Sequence, residues 1–121
     1  MKAHAHALTP QALTERAAAA DILVQATPLG MKGYGQDYED LSFIDALPAH
    51  CTVMDVVLNP PCTKLRRRAL ERGLKTVPGM KMLLGQMDAI FDYLWGVRLT
   101  AADKAACTAA LCTHLGVDAP V

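Results

Sequence analysis

A chain of 121 residues has the size of one small domain. Twelve basic side chains balance twelve acidic ones, and the formal net charge of zero gives no electrostatic reason to expect nucleic acid or an anionic membrane as partner. Hydrophobic residues make up 52% of the chain, enough for a packed core and too many for a disordered segment.

In chain order, Met1 to Leu8 alternates Ala and His and reads as a tail or a short edge strand. It has no apolar run, so no secretory signal is expected. His4 and His6 would share one strand face, but no third ligand stands near, and no metal site is expected. Thr9-Pro10 is a helix start, with Thr as cap and Pro at the first helical position, and the helix is expected to run through Ala17–Ala20. Ile22 to Ala26 is a short apolar run that reads as a buried strand. Pro28 to Ser42 is a glycine-bearing loop, followed by a helical turn from Phe43 to Leu47. Thr52 to Leu58 is a second, valine-rich strand, and Asn59-Pro60-Pro61 ends it because proline cannot donate to a ladder.

Thr63 caps a helix to Arg72, Gly73 closes it, and Lys75 to Val77 is a third, very short strand. Gly79 to Trp95 is the clearest helix, with Met80, Leu83, Leu84, Met87, Ile90, Phe91 and Leu94 at spacings of three and four. Thr100 to Asp103 resembles a capping box and opens a last helix to about Leu115. Ala102, Ala106, Ala109 and Thr113 give that helix a small-residue face suited to close packing. Nowhere do the roughly 18 consecutive apolar residues of a membrane span occur. Cys51, Cys62, Cys107 and Cys112 show no CxxC spacing and read as free thiols in a reducing cytoplasm.

Strands alternating with helices imply an α/β fold with about three parallel strands and two carboxyl-terminal helices. Open parallel sheets bind ligands at the carboxyl ends of their strands. The segments to inspect are therefore Thr27 to Met31, Leu58 to Pro61, and Pro78 to Met80. Singly they are weak: a Gly after a strand is commonly a turn, Asn-Pro-Pro a rigid strand exit, and Gly79 a structural helix start as readily as a ligand contact.

Together they carry more. Ala20–Met31 reads ADILVQATPLGM, Asp55–Leu65 reads DVVLNPPCTKL, and Gly73–Gln86 reads GLKTVPGMKMLLGQ. In that order and spacing they resemble three successive segments of the shikimate/quinate dehydrogenase family. The resemblance covers roughly Ala18 to Leu115. It implies the second half of a Rossmann-type doubly wound parallel sheet, a partial NAD(P)-binding domain spanning the chain. Val56, Val57, Leu58 and Asn59 would then lie against the nicotinamide end of NADP or NAD, and Thr27 and Pro28 would line the cofactor groove. Gly79 would let the backbone approach the nicotinamide, where a Cβ would intrude. Gln86, with Leu58 beside it, would face the substrate, a small cyclic hydroxy acid.

Four positions depart from the family pattern. Gln25 stands for Asn, Leu58 for a Tyr that offers its hydroxyl to substrate, Pro78 for Asp, and Lys81 for Gly. Leu58 and Lys81 argue against shikimate itself as the substrate. The family's catalytic Lys and Asp belong to an amino-terminal substrate domain without counterpart here, and no glycine-rich pyrophosphate turn joins a strand to a helix. No catalytic residue is therefore assigned in this chain. The expectation is part of an NAD(P)-dependent dehydrogenase, cytoplasmic, inactive by itself and homo-oligomeric. The alternatives are a degenerate, non-catalytic half-fold serving assembly or ligand binding, and a dehydrogenase of different specificity.

Overall fold

The computed structural model describes residues 2–117. Residues 2–8 form neither helix nor strand, which removes the short edge strand considered for this segment. Helix α1 (Pro10–Ala17) starts as expected, with the Thr9 hydroxyl accepting from the Ala12 amide. It stops before Ala20 because the Ala19 and Ala20 amides turn back to the carbonyls of Arg16 and Ala17, three residues behind them. Strand β1 (Ile22–Gln25) leads to a loop and a 3₁₀ turn, Ser42–Ala46. Strand β2 (Thr52–Asp55) precedes helix α2 (Lys64–Glu71), capped by the Thr63 hydroxyl. Strand β3 (Lys75–Pro78) passes directly into helix α3 (Gly79–Trp95), and helix α4 (Ala101–Leu115) closes the order. The Thr100–Asp103 capping box forms in both directions.

The three strands pair in parallel in the order β1-β2-β3, with Ile22 beside Thr52, Val24 beside Met54, and Met54 beside Val77. One face is covered. Phe43, Ile44, Leu47, Val53, Leu65 and Ala69 are buried there between the strands and the layer formed by α1, the 3₁₀ turn and α2. The opposite face, with Ile22, Val24, Met54 and Val77, is open: Ile22 is 67% and Val24 53% exposed. Helix α3 packs at β3, and α4 packs on α3. The predicted apolar stripe of α3 exists, but only Met80 is buried, and Ile90 and Leu94 lie exposed.

The expected packing face of α4 is corrected. Ala102, Ala106, Ala109 and Thr113 are exposed, whereas Cys107, Thr108, Leu111, Cys112 and Leu115 are buried or half-buried. Burial follows apolar area rather than smallness. All four cysteines are free thiols. No helix among the described residues is long and apolar enough to cross a membrane.

Candidate functional site

The carboxyl ends of β1 and β2 are shaped by two buried polar side chains. Gln25, 3% exposed, ends β1. Its Oε1 accepts the Thr27 amide, and its Nε2 donates to the Leu29 carbonyl at 3.1 Å. The turn at residues 26–29 is thus tied back onto the strand that precedes it. The extra methylene of Gln over Asn gives the side chain its reach across the turn. Further along, Gly30 has φ +79°, and a Cβ there would meet Asp37 Oδ1 at 3.2 Å.

Asp55, 2% exposed, ends β2. Its Oδ1 accepts the Val57 amide at 3.0 Å, and its Oδ2 accepts the Thr63 hydroxyl. Thr63 in turn caps α2 through the Arg66 amide. These bonds draw the chain out of the sheet, so the strand predicted to reach Leu58 stops at Asp55. The amide of Val56 still reaches the Gln25 carbonyl at 3.0 Å. The Asn59–Pro60 bond is cis. Arg66, 6% exposed, donates to the Pro61 carbonyl at 2.9 Å and to the Thr76 hydroxyl at 3.2 Å, holding the far end of this loop against β3.

The two post-strand loops are joined by the Lys32 amide, which donates to the Asn59 carbonyl at 2.8 Å. Between them opens a cleft of about 490 Å³, lined by Ala26, Thr27, Pro28, Met31, Lys32, Val56, Val57, Leu58 and Asn59. Six residues singled out from sequence meet there: Thr27, Pro28, Val56, Val57, Leu58 and Asn59. Met31 belongs to the inspected segment without a role of its own, and Lys32, one residue beyond that segment, is the wall residue that no motif marks. Lys32 is the sole ionisable group on the cleft wall, which is otherwise largely apolar.

Gly79 does not line the cleft; it stands behind the cleft wall. A Cβ on Gly79 would come within 2.6 Å of the Val56 carbonyl oxygen, 2.7 Å of its carbon and 2.8 Å of the Val57 carbonyl oxygen. The glycine is thus demanded by the protein's own backbone, where the start of α3 crosses the exit of β2. Gln86 lies exposed on α3, two turns beyond Gly79, and is not among the lining residues. Lys81 is exposed in a first turn that has no acidic residue, below Pro78, which supplies no side-chain cap.

Tyr38 lies near this end of the sheet. Burial pushes its hydroxyl above the ordinary phenol value, a hydrogen bond with Thr27 pulls the other way, and the charges of Asp55 and Asp37 add to the rise. The phenol therefore stays protonated beside Thr27. Another cleft, about 350 Å³ between α3 and α4, is lined by Asp88, Asp92, Arg98 and Lys104. Its charges are matched within the protein, Lys104 with Asp88 and Arg98 with Asp92.

No protein-family profile matches the chain. It is 40% identical over 112 residues to a shikimate dehydrogenase (NADP(+)) of Rhodopseudomonas palustris, covering 88% of this chain and 38% of that protein. A shikimate dehydrogenase (NADP(+)) of Symbiobacterium thermophilum is 41% identical over 81 residues, covering 67% of this chain and 27% of that protein. Among solved structures, the quinate dehydrogenase of Corynebacterium glutamicum in complex with NAD superposes with a TM-score of 0.67 at 28% identity, over 83% of this chain and 34% of that one. The chain thus spans well under half the length of the proteins it resembles.

Proposed function

The chain belongs to the shikimate/quinate dehydrogenase family, and we propose that its strand-end cleft receives the nicotinamide end of NADP or NAD. The chain then supplies the carboxyl-terminal, cofactor-holding part of a dehydrogenase acting on a hydroxylated cyclic carboxylate. The observation that carries this reading is the convergence of Thr27, Pro28, Val56, Val57, Leu58 and Asn59 on one cleft at the carboxyl ends of adjacent parallel strands. The cleft suits such a group in volume and in character: pockets for small ligands run from about 300 to 1,000 Å³, mostly apolar with a few polar groups. Ala26, Pro28, Val56, Val57 and Leu58 offer the apolar wall, and Thr27 and Asn59 the polar groups.

When bound, the cofactor supplies the hydride donor or acceptor. The residues of this chain position it. Val56 and Val57, with the start of α3 packed close behind their backbone at Gly79, form a wall for a planar ring. Thr27, fixed by Gln25 through its amide, holds its hydroxyl toward Tyr38 and the Leu29 amide. Leu58 presents a hydrocarbon surface where a tyrosine hydroxyl would favour a polar ring substituent. That surface favours a substrate whose contacting edge is less polar than shikimate.

No carboxylate lines the cleft, so a Lys–Asp proton-transfer couple is not assembled from its lining residues. The test is a titration of the purified chain with NADP+ and with NAD+, followed by amide NMR, beside an assay with shikimate and quinate. Shifts confined to residues 26–32 and 56–59, without NAD(P)H formation above the protein-free control, are expected. Turnover by the pure chain, or shifts gathered on the α3–α4 cleft, would overturn the reading.

A further inference from the structure

We propose that Lys32 is the anion contact of this cleft, its ammonium taking an oxyanion of the bound ligand, and that it thereby decides which acidic ligand the cleft accepts. The inference rests on the proposed function and adds to it the charge that the site must recognise. Three observations lead to it. Lys32 is the sole ionisable side chain on the wall of the 490 Å³ cleft. Its backbone is anchored, because its amide donates to the Asn59 carbonyl at 2.8 Å across the two loops, and its exposed side chain starts from the rim of the cleft. Among the described residues, its ammonium has no carboxylate within ion-pair distance, while the nearby acid Asp37 is already paired with Lys64 at 3.2 Å.

A solvated lysine on an open surface needs no explanation. Lys32 is itself exposed, but its backbone is held at the mouth of a largely apolar cleft, and a ligand that covers this wall displaces water and strengthens the charge pairing at its edge. The group it fits is a compact anionic oxygen. Lysine meets such groups as a point charge with three rotatable donors, without the planar demands of arginine. Two sources carry that chemistry: a phosphate of the dinucleotide and the carboxylate of the cyclic acid. Leu58, on the same wall, removes a hydroxyl from the recognition of either, which leaves Lys32 as the strongest polar element there.

The experiment titrates the chain, Lys32→Met and Lys32→Arg with four probes: NADP+, nicotinamide mononucleotide, shikimate and quinate. Amide NMR reports dissociation constants at low and high salt. Lys32→Met keeps the length of the side chain and removes its charge, and its fold is checked by the unchanged shifts of the buried Val53 and Leu65. Loss of about fivefold in affinity is expected for the probes that bear the recognised anion, with Lys32→Arg close to the parent. Added salt should weaken the parent and leave Lys32→Met nearly unaffected. A loss limited to the two nucleotides assigns the contact to phosphate, and a loss limited to the two acids assigns it to carboxylate. If NADP+ or an acid shifts residues 26–32 and 56–59 equally in the parent and in Lys32→Met, the inference fails while the proposed function stands. If no probe shifts those residues in the parent, both fail together.

Discussion

Replacing Gly79 by alanine tests how the cleft wall is built. The added Cβ would sit 2.6 to 2.8 Å from three backbone atoms of Val56 and Val57. Ordinary contact of such atoms begins near 3.4 Å, so the start of α3 and the exit of β2 must part by about 0.8 Å. Backbone atoms cannot rotate away as a side-chain tip can. Overpacking typically costs about 1–3 kcal/mol, and the rigid neighbours put this case at the upper end, about 3 kcal/mol. The gain in helix propensity returns less than about 1 kcal/mol. A net loss of about 2 kcal/mol is expected. Gly85 on the same helix is the control, since a Cβ there meets nothing within 4 Å. Gly85→Ala should gain about 0.5–1 kcal/mol from propensity alone. Urea unfolding followed by circular dichroism then separates the two variants by about 3 kcal/mol, or about 2 M in midpoint at a slope near 1.5 kcal/mol/M. A Gly79→Ala midpoint equal to that of Gly85→Ala would refute the crossing described here and return Gly79 to the role of a ligand-facing glycine.

Much of the fold is legible because its signals are local. Thr9 and Thr63 as caps, the Thr100–Asp103 box and the glycine after α2 each act within a few residues of their own position. The parallel pairing follows from strands alternating with helical segments and is found as expected. What the sequence pattern does not carry depends on groups acting at a distance. The periodicity of Thr52–Leu58 carries no sign that Asp55 turns its carboxylate onto the Val57 amide and the Thr63 hydroxyl, which ends the strand early. The sequence marks Gly79 as a position that needs close backbone approach, but what approaches it, the backbone of Val56 and Val57, lies more than twenty residues earlier in the chain. On α4, the small residues looked like a packing face, yet the larger apolar area of Leu111, Cys112 and Leu115 turns the helix the other way. For the cleft, the motifs located six of its wall residues, while Lys32 carried no pattern of its own.

The remaining predictions concern the buried groups and the open sheet face. Asp55→Ala strands the Val57 amide and the Thr63 hydroxyl, and should cost roughly 2–4 kcal/mol in urea unfolding, with Asp55→Asn costing less because it keeps one acceptor. Burial raises the Cys51 thiol above its ordinary value of 9.0, with Asp21 adding to the rise and a backbone hydrogen bond opposing it. The folded state therefore holds a proton that the unfolded state loses. That stability is intact below the ordinary thiol value and declines as pH rises above it, so the parent should lose more unfolding midpoint than Cys51→Ala at alkaline pH. Equal losses would count against the burial. Finally, the isolated chain should self-associate. Ile22 at 67% and Val24 at 53% exposure, with Met54 and Val77 beside them, make an apolar sheet face without a covering layer. Strand β1 pairs on one side only and carries no charged residue to blunt its free edge. Parallel sheets are normally covered on both faces, and an apolar patch of this kind becomes an interface, most simply in a symmetric pair. Light scattering at micromolar concentration should give about twice 13.0 kDa. The double variant Ile22→Lys, Val24→Lys should return the chain to its monomer mass, since two cations would have to be buried in the shared face. A parent chain found as a single species at 13.0 kDa would show that this face tolerates water, and the expectation of a homo-oligomer would be lost with it.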